Sequence, residues 1–114
     1  LGAYLGDRLR ALAAKHPSVG DARGLGLFWT MELVKDRRTK EPLRRATEKY
    51  SRTIVKDVSD YLFHKRDIYV PSDKFGIWVV PPLVVTKDEL DWVCEGIDDA
   101  LRIADKAIAP PRTN

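Results

Sequence analysis

Apolar residues recur at every third or fourth position in three segments of the chain, which predicts three amphipathic helices. The first helix spans about residues 1–16 and ends at Pro17; its apolar positions are Leu1, Leu5, Leu9, Leu12 and Ala13. The second begins at Pro42, whose missing amide proton suits a first helical turn, and follows Ala46, Tyr50, Ile54, Val58, Tyr61 and Leu62. The third begins at Thr86, which has capping-box spacing to Glu89, and runs to about residue 107 along Leu90, Val93, Cys94, Ile97, Leu101 and Ala104.

A period-two pattern predicts a strand from Leu25 to Val34, whose one apolar face consists of Leu25, Leu27, Trp29, Met31 and Leu33. The glycine-containing segment that starts at Ser18 is expected to form a strand pair with it, because glycines in such a context mark bulges, turns or close backbone approach. A charged turn from Lys35 to Pro42 follows.

Two further short strands are predicted, at Ile68–Val70 and Ile77–Val80. The second is apolar on both faces, which is typical of a strand covered on both sides. We therefore expect the chain's own helices to leave part of the face containing Ile77 and Val79 to another domain or subunit. The order of elements predicts an α+β fold, a small mainly antiparallel sheet with helices packed on one face.

Composition is that of one small globular domain: 114 residues, 44% hydrophobic and 32% charged, with no apolar run of the ~20 residues that a membrane span needs. One cysteine, Cys94, excludes an internal disulfide and fits a cytoplasmic protein in which this thiol packs in the core. The chain starts inside a helical repeat, so we expect it to be a fragment of a longer protein.

A net charge of +3 is too small and too dispersed to indicate a nucleic-acid surface. The basic residues after the predicted strand nevertheless cluster, with acidic residues between them. They form either a solvated face or a site for an anionic partner, and they are Arg37, Arg38, Lys40, Arg44, Arg45 and Lys49.

The residues by themselves offer no catalytic constellation and no metal-ligand spacing. His16 lies at the predicted end of the first helix and His64 in the last turn of the second. A histidine at a helix C-terminus is favoured by the helix dipole, so capping is the expected role of both.

Two ordered motifs resemble class III aminotransferases, the pyridoxal-phosphate (PLP) enzymes of fold type I. The first is Arg23-Gly24-Leu25-Gly26-Leu27, followed by Glu32-Leu33 and the charged run Lys35-Asp36-Arg37. The second is Ile77 to Thr86, with its Pro-Pro-Leu turn, followed by Asp88-Glu89-Leu90-Asp91. Their separation fits the C-terminal small domain of that family, and the resemblance covers nearly the whole chain.

The resemblance implies that residues 1–114 are the small domain of an ω-amine or amino acid:pyruvate transaminase whose large domain is absent. That large domain would bind PLP through its Schiff-base lysine, so no catalytic or cofactor-binding residue is carried onto this chain. Implied partners are the large domain, a second subunit in a homodimer, an amine and a 2-oxo acid, with neither nucleic acid nor membrane.

Three residues are candidates for the substrate pocket. Trp78 stands where α-carboxylate-binding members have an arginine, and Val70 where ω-amine:pyruvate members have one. Trp78 either narrows the pocket or is a core residue. Arg23 either fixes its own turn or contacts substrate. The alternative to the transaminase is a free-standing α+β regulatory or protein-interaction module.

Overall fold

The computed structural model describes residues 1–43, 54–73 and 75–108. In chain order the elements are α1 (Gly2–Lys15), β1 (Val19–Leu25), β2 (Phe28–Asp36), β3 (Glu41–Pro42), α2 (Ile54–Arg66), β4 (Gly76–Val79) and α3 (Lys87–Lys106). Ala46 and Tyr50, predicted in the first turns of the second helix, lie outside the described residues. Within the described part, no helix is both long and apolar enough to cross a membrane.

β2 is the central strand of an antiparallel sheet. β1 pairs with it from Val19↔Leu33 to Leu25↔Phe28, β4 pairs with its first half from Trp29↔Val79 to Glu32↔Gly76, and β3 pairs with its end. Because a strand has only two edges, β3 and β4 share the edge of β2 opposite β1. Every strand therefore takes its position from the segment that the sequence identified as the strongest strand.

The helices cover one face of this sheet, as predicted. The inward side chains of the strands are Val19, Trp29, Met31, Leu33, Ile77 and Val79, all at most 3% exposed. They join one core with helical residues that include Leu5, Leu9, Val58, Leu62, Leu90, Cys94, Ile97 and Leu101. The α+β class is confirmed.

α3 begins with the predicted capping box. The Glu89 amide donates to Thr86 Oγ1 at 3.2 Å, and the Thr86 amide donates to Glu89 Oε1 at 3.0 Å. Each bond satisfies a backbone donor that the first helical turn leaves without a partner. The position of α3 over the sheet is thus fixed at its start by local chemistry and along its length by the core.

The predicted start of the long strand at Leu25 is wrong. Leu25 ends β1 and is 88% exposed, and the chain reverses through Gly26, whose φ of +59° favours glycine. The Trp29 indole Nε1 donates to the Gly26 carbonyl at 2.8 Å, which ties the turn to the start of β2. The apolar alternation continues through the turn, so periodicity alone does not show where one strand ends and the next begins.

The predicted strand Ile68–Val70 is also wrong, because these residues bond to α2 rather than to a neighbouring strand. The Ile68 amide donates to the Leu62 carbonyl at 2.9 Å, and Ser59 Oγ donates to the Val70 carbonyl at 2.9 Å. Ile68 and Val70 are buried while Tyr69 is exposed. An extended segment that packs against a helix can therefore show the same alternation of buried and exposed side chains as a strand in a sheet.

The prediction that the chain's own helices leave part of the Ile77 and Val79 face of β4 uncovered is wrong, because the exposed face is the opposite one. Ile77 and Val79 are fully covered by the chain's own helices, whereas Trp78 and Val80 on the opposite face are 39% and 48% exposed. Part of the predicted charged turn also forms a strand, since Glu41 and Pro42 pair with the end of β2 as β3. The predicted start of the second helix at Pro42 is therefore wrong.

Candidate functional site

The sheet has a second face that the described helices leave uncovered, here called the outer face. Strand alternation and the pairing register place eight residues on it: Asp21, Arg23 and Leu25 of β1, Phe28, Thr30 and Glu32 of β2, Trp78 of β4, and Val80 just after it. The end of this face formed by Leu25, Phe28, Trp78 and Val80 is apolar, and the end formed by Asp21, Arg23 and Glu32 is charged.

Two of the three candidate pocket residues, Arg23 and Trp78, lie on the outer face. Thr30 is paired with Arg23 on one side and with Trp78 on the other. Neighbouring strands lie about 4.8 Å apart, so the backbones at Arg23 and Trp78 are separated by roughly 10 Å with Thr30 between them. The sheet thus joins positions that are 55 residues apart in the chain.

The Arg23 guanidinium is already held by carboxylates. Its Nη1 donates to Asp21 Oδ2 at 2.9 Å and to Glu32 Oε2 at 3.2 Å. The hydrogen bond to Asp21, followed by that to Glu32, raises the pKa of Arg23 above its ordinary value. These partners favour the interpretation that Arg23 fixes the hairpin. Asp21 and Glu32 already neutralise the positive charge of Arg23 that would otherwise bind a substrate carboxylate.

Trp78 lies outside the core. Its indole Nε1 donates to Asp73 Oδ2 at 3.2 Å, and its ring centroid lies 6.2 Å from that of Phe28. This placement leaves the large apolar ring available to a ligand or to another part of the protein. A role in lining a substrate pocket stays a prediction.

Val70 is separated from the other two candidates. It is 3% exposed and belongs to the helix-covered core, so it does not share the outer face with Arg23 and Trp78. Its role in substrate binding also stays a prediction.

Val70 lies in the wall of a groove of about 230 Å³ between α3 and the segments on either side of β4. The exposed side chains of this groove include Tyr69, Val80 and Trp92. Because Val80 belongs both to the groove and to the outer face, the two form one continuous apolar surface.

His16 is a buried structural residue. It is 3% exposed, its Nε2 lies 2.6 Å from Asp98 Oδ1, and its Nδ1 lies 2.5 Å from Asp105 Oδ2. Ser18 adds a hydrogen bond from its hydroxyl to Asp105 at 2.6 Å. His16 is the C-cap residue of α1, as expected, and its backbone amide donates to the Leu12 carbonyl. Its ring bonds to two carboxylates of α3 and so joins the end of α1 to α3.

Sequence analysis did not find these partners of His16, because they lie more than 80 residues further along the chain. One signal was present: Asp98 and Asp105 are seven residues apart in a helix and therefore share a face. His64, in contrast, is exposed and contacts the Phe63 ring edge-on. The described residues contain no cluster of three side chains that could hold a metal ion.

Cys94 is fully buried in α3, in agreement with its predicted packing role. Burial raises the pKa of its thiol to about 11. The thiolate is the nucleophilic form, so this environment is unsuited to a catalytic cysteine.

A family model described as aminotransferase class-III matches residues 1–101. The chain belongs to the class-III aminotransferase family. Among curated relatives, a taurine–pyruvate aminotransferase of Rhodobacter capsulatus is 39% identical over 106 residues, which cover 88% of this chain and 22% of that protein. A hypotaurine/taurine–pyruvate aminotransferase of Paracoccus denitrificans is 36% identical and matches 82% of this chain and 20% of its own length.

Solved structures of aminotransferases share the fold. A thermostable (S)-enantioselective omega-transaminase from Thermomicrobium roseum superimposes with a TM-score of 0.76 at 31% identity, covering 90% of this chain and 21% of that one. A PMP-bound aminotransferase from Vibrio fluvialis gives a TM-score of 0.81 over 96% of this chain and 23% of that one, and at 22% identity it shows the fold alone. This class-III chain therefore spans only about a fifth of the length of the relatives it matches.

The described residues do not fit a Schiff-base site for the PLP of this family. The described lysines are all exposed on the surface of the domain: Lys15, Lys35, Lys40, Lys56, Lys65, Lys87 and Lys106. An amine that forms a Schiff base near neutral pH needs a buried or electropositive setting that lowers its pKa. The described part of this chain therefore offers no amine suited to hold PLP as a Schiff base.

Proposed function

We propose that residues 1–114 form the C-terminal small domain of a longer PLP-dependent aminotransferase. The full enzyme would transfer an amino group from an amine or ω-amino acid to a 2-oxo acid, with pyruvate as the preferred acceptor. The observation that carries the proposal is the family match over residues 1–101 together with relatives, 36–39% identical, that are taurine–pyruvate aminotransferases four to five times longer.

In this proposal the large domain binds PLP, and the cofactor supplies the electron sink for amino transfer. The small domain contributes a rigid surface against which the large domain and substrate are placed. A cytoplasmic homodimer is part of the same proposal.

The outer face supports this role. Its apolar end exposes Leu25, Phe28, Trp78 and Val80, and the surface continues through Val80 into the groove beside Trp92. Contiguous apolar surface of this kind on a protein usually marks a contact with another domain, subunit or ligand. We propose that the large domain covers part of this surface and that the substrate pocket lies near Trp78.

The absence of an arginine at position 78 supports pyruvate rather than 2-oxoglutarate as acceptor. A second carboxylate on the acceptor calls for a cation that binds it through paired hydrogen bonds. Trp78 occupies the place where α-carboxylate-binding members carry such an arginine, and Arg23 is engaged by Asp21 and Glu32. Pyruvate, with a single carboxylate, makes no such demand.

The full-length protein that contains this chain provides the test. Purified with PLP, it is expected to show the absorbance of a lysine-bound cofactor and to form alanine when pyruvate is mixed with an ω-amino donor such as taurine or β-alanine. Turnover with 2-oxoglutarate should be at least tenfold slower at equal concentration. A full-length protein without a cofactor-binding lysine would instead support the regulatory or interaction module.

A further inference from the structure

The basic residues that follow β2 left two alternatives open, a solvated face or a site for an anion. In the structure, Arg37 and Lys40 fold back over the end of α1 and the start of β1. Together with Arg10 of α1 they line a cleft of about 420 Å³, whose remaining lining is Ala13, Ala14, Val19, Gly20, Asp21 and Ala22. The cleft adjoins the charged end of the outer face at Asp21, but Arg23, Val70 and Trp78 do not line it, and the proposed transamination does not use it.

Arg37 is fixed in place by backbone carbonyls. Its Nε donates to the Val19 carbonyl at 3.2 Å, and its Nη2 donates to the carbonyls of His16, at 2.5 Å, and Ala13. These bonds use the Nε proton and both Nη2 protons. The two Nη1 protons have no partner among the described residues, so a rigidly held guanidinium keeps one edge for a ligand.

The other two cations also retain donors. Lys40 Nζ gives one hydrogen bond to the Gly20 carbonyl, which leaves two of its three protons. The Arg10 guanidinium lies 4.9 Å from the centre of the Trp29 ring, and its Nη1 is 4.0 Å from Asp7, too far for a hydrogen bond. Stacking on the indole orients Arg10 without using its N–H groups.

The charge balance in the cleft is positive. Asp21 is the one carboxylate among the lining residues, and Arg23 donates to it at 2.9 Å. Arg37 partly offsets the negative C-terminal end of α1. Arg10 and Lys40 have no comparable opposing charge within hydrogen-bonding distance in the described structure.

We propose that this cleft binds the phosphate group of a small phosphorylated ligand. A carboxylate is satisfied by a single arginine fork, whereas three cations that line one cleft match the two charges and the several acceptor oxygens of a phosphate monoester. The volume of about 420 Å³ leaves room for a small organic group beyond the phosphate.

Calorimetric titration tests this proposal on the full-length protein, saturated with PLP and then freed of excess cofactor. Inorganic phosphate and glycerol phosphate are titrated separately at constant ionic strength set with chloride. Saturable binding is expected, with glycerol phosphate at least as tight as inorganic phosphate. The variants Arg10→Gln and Lys40→Gln should each raise Kd about tenfold, the effect of losing one charge-assisted hydrogen bond. Arg37 is left unchanged because it also holds three carbonyls.

Lys65→Gln is the matched control, because it removes an exposed lysine of α2 that does not line the cleft. Its Kd should equal that of the parent protein. Absence of saturable binding would overturn the proposal, as would an equal loss of affinity in all three variants, which would indicate general charge screening. Exclusive binding of inorganic phosphate would overturn the assignment to phosphorylated organic ligands.

Discussion

Asp67 carries a backbone conformation that its side chain disfavours. Its φ of +55° lies in the left-handed region, directly after α2 ends at Arg66, and it lets the Ile68 amide turn back to the Leu62 carbonyl. Glycine adopts this conformation without the steric cost that other residues carry. We predict that Asp67→Gly increases the free energy of unfolding by about 0.5 to 1 kcal/mol, measured by urea denaturation.

The control for this prediction is Lys65→Gly, two residues earlier and inside the helix. There glycine is unfavourable and should lower the free energy of unfolding by about 1 kcal/mol. If both substitutions destabilise the protein equally, the positive φ of Asp67 carries no strain.

Trp78 gives a residue-scale test of substrate choice. Because the side chain is partly exposed and lies beside Asp73, an arginine there would not be buried without a partner. We predict that the full-length Trp78→Arg variant folds normally and raises the ratio of 2-oxoglutarate to pyruvate turnover by about tenfold, through one charge-assisted carboxylate contact.

Phe63→Arg is the matched control, since Phe63 is a similarly exposed aromatic residue but belongs to α2 and lies outside the outer face and the groove. Its acceptor preference should not change. A folded Trp78→Arg enzyme with the parent's acceptor preference would exclude Trp78 from the pocket.

At the scale of elements, His16 joins the end of α1 to α3. The imidazole meets a carboxylate at each ring nitrogen, and Lys15 adds a further bond to Asp98 at 2.9 Å. His16→Gln removes this geometry and takes one hydrogen-bond partner from each of two partly buried carboxylates, Asp98 and Asp105. We predict a loss of about 1.5 to 3 kcal/mol in the free energy of unfolding, from urea denaturation at pH 6.

The chain has two histidines, so His64→Gln is a natural control. His64 is exposed, and its replacement should change stability by less than about 0.5 kcal/mol. Equal stability of the two variants would mean that the contacts of His16 contribute nothing net.

Sequence patterns located elements better than they located the connections between them. The stripes of α1 and α3, the buried positions Trp29, Met31 and Leu33, and the capping box of α3 follow from local periodicity and spacing. The hairpin turn at Gly26 was missed because apolar alternation continues through it, and Val70 because its bonding to Ser59 of α2 produces a strand-like burial pattern. The partners of His16 lie more than 80 residues further along the chain. No local pattern encodes which partner a buried polar group will meet.

The candidate site shows the same division. The family motifs single out Arg23 and Trp78, but only the register of three strands shows that they flank Thr30. Likewise, the clustering of Arg37 and Lys40 is visible in the sequence, whereas the participation of Arg10 requires α1 to pack beside β1.

At the scale of the whole molecule, α3 bears carboxylates that are stabilised in their charged form. The Tyr61 hydroxyl, followed by Arg102 and Arg66, outweighs burial and lowers the pKa of Asp99 to about 2. Burial by itself would raise the pKa of Asp98, but hydrogen bonds from His16 and Lys15 hold it below the ordinary value.

These shifts predict how stability depends on acidity. Above the ordinary aspartate pKa of about 3.9, both carboxylates are charged in the folded and unfolded states, and their contribution is complete. Between about pH 4 and pH 2 the unfolded chain binds protons that the folded chain excludes, so the free energy of unfolding should fall as pH falls. Urea denaturation at pH 7, 4 and 3 measures this decline.

Asp99→Asn removes the more strongly shifted of the two carboxylates. The variant should be less stable than the parent at pH 7 and should lose less stability between pH 4 and pH 3. An unchanged slope would show that Asp99 does not contribute to the acid sensitivity of the fold.

The burial of Cys94 has a kinetic consequence. It is the chain's one cysteine, and with a pKa of about 11 only about one thiol in a thousand is ionised at pH 8. A thiol reagent can reach it only when α3 lifts from the sheet, so the labelling rate at pH 8 reports how often that helix opens. The labelling rate of Cys94 therefore measures how often α3 opens, and no further cysteine has to be introduced.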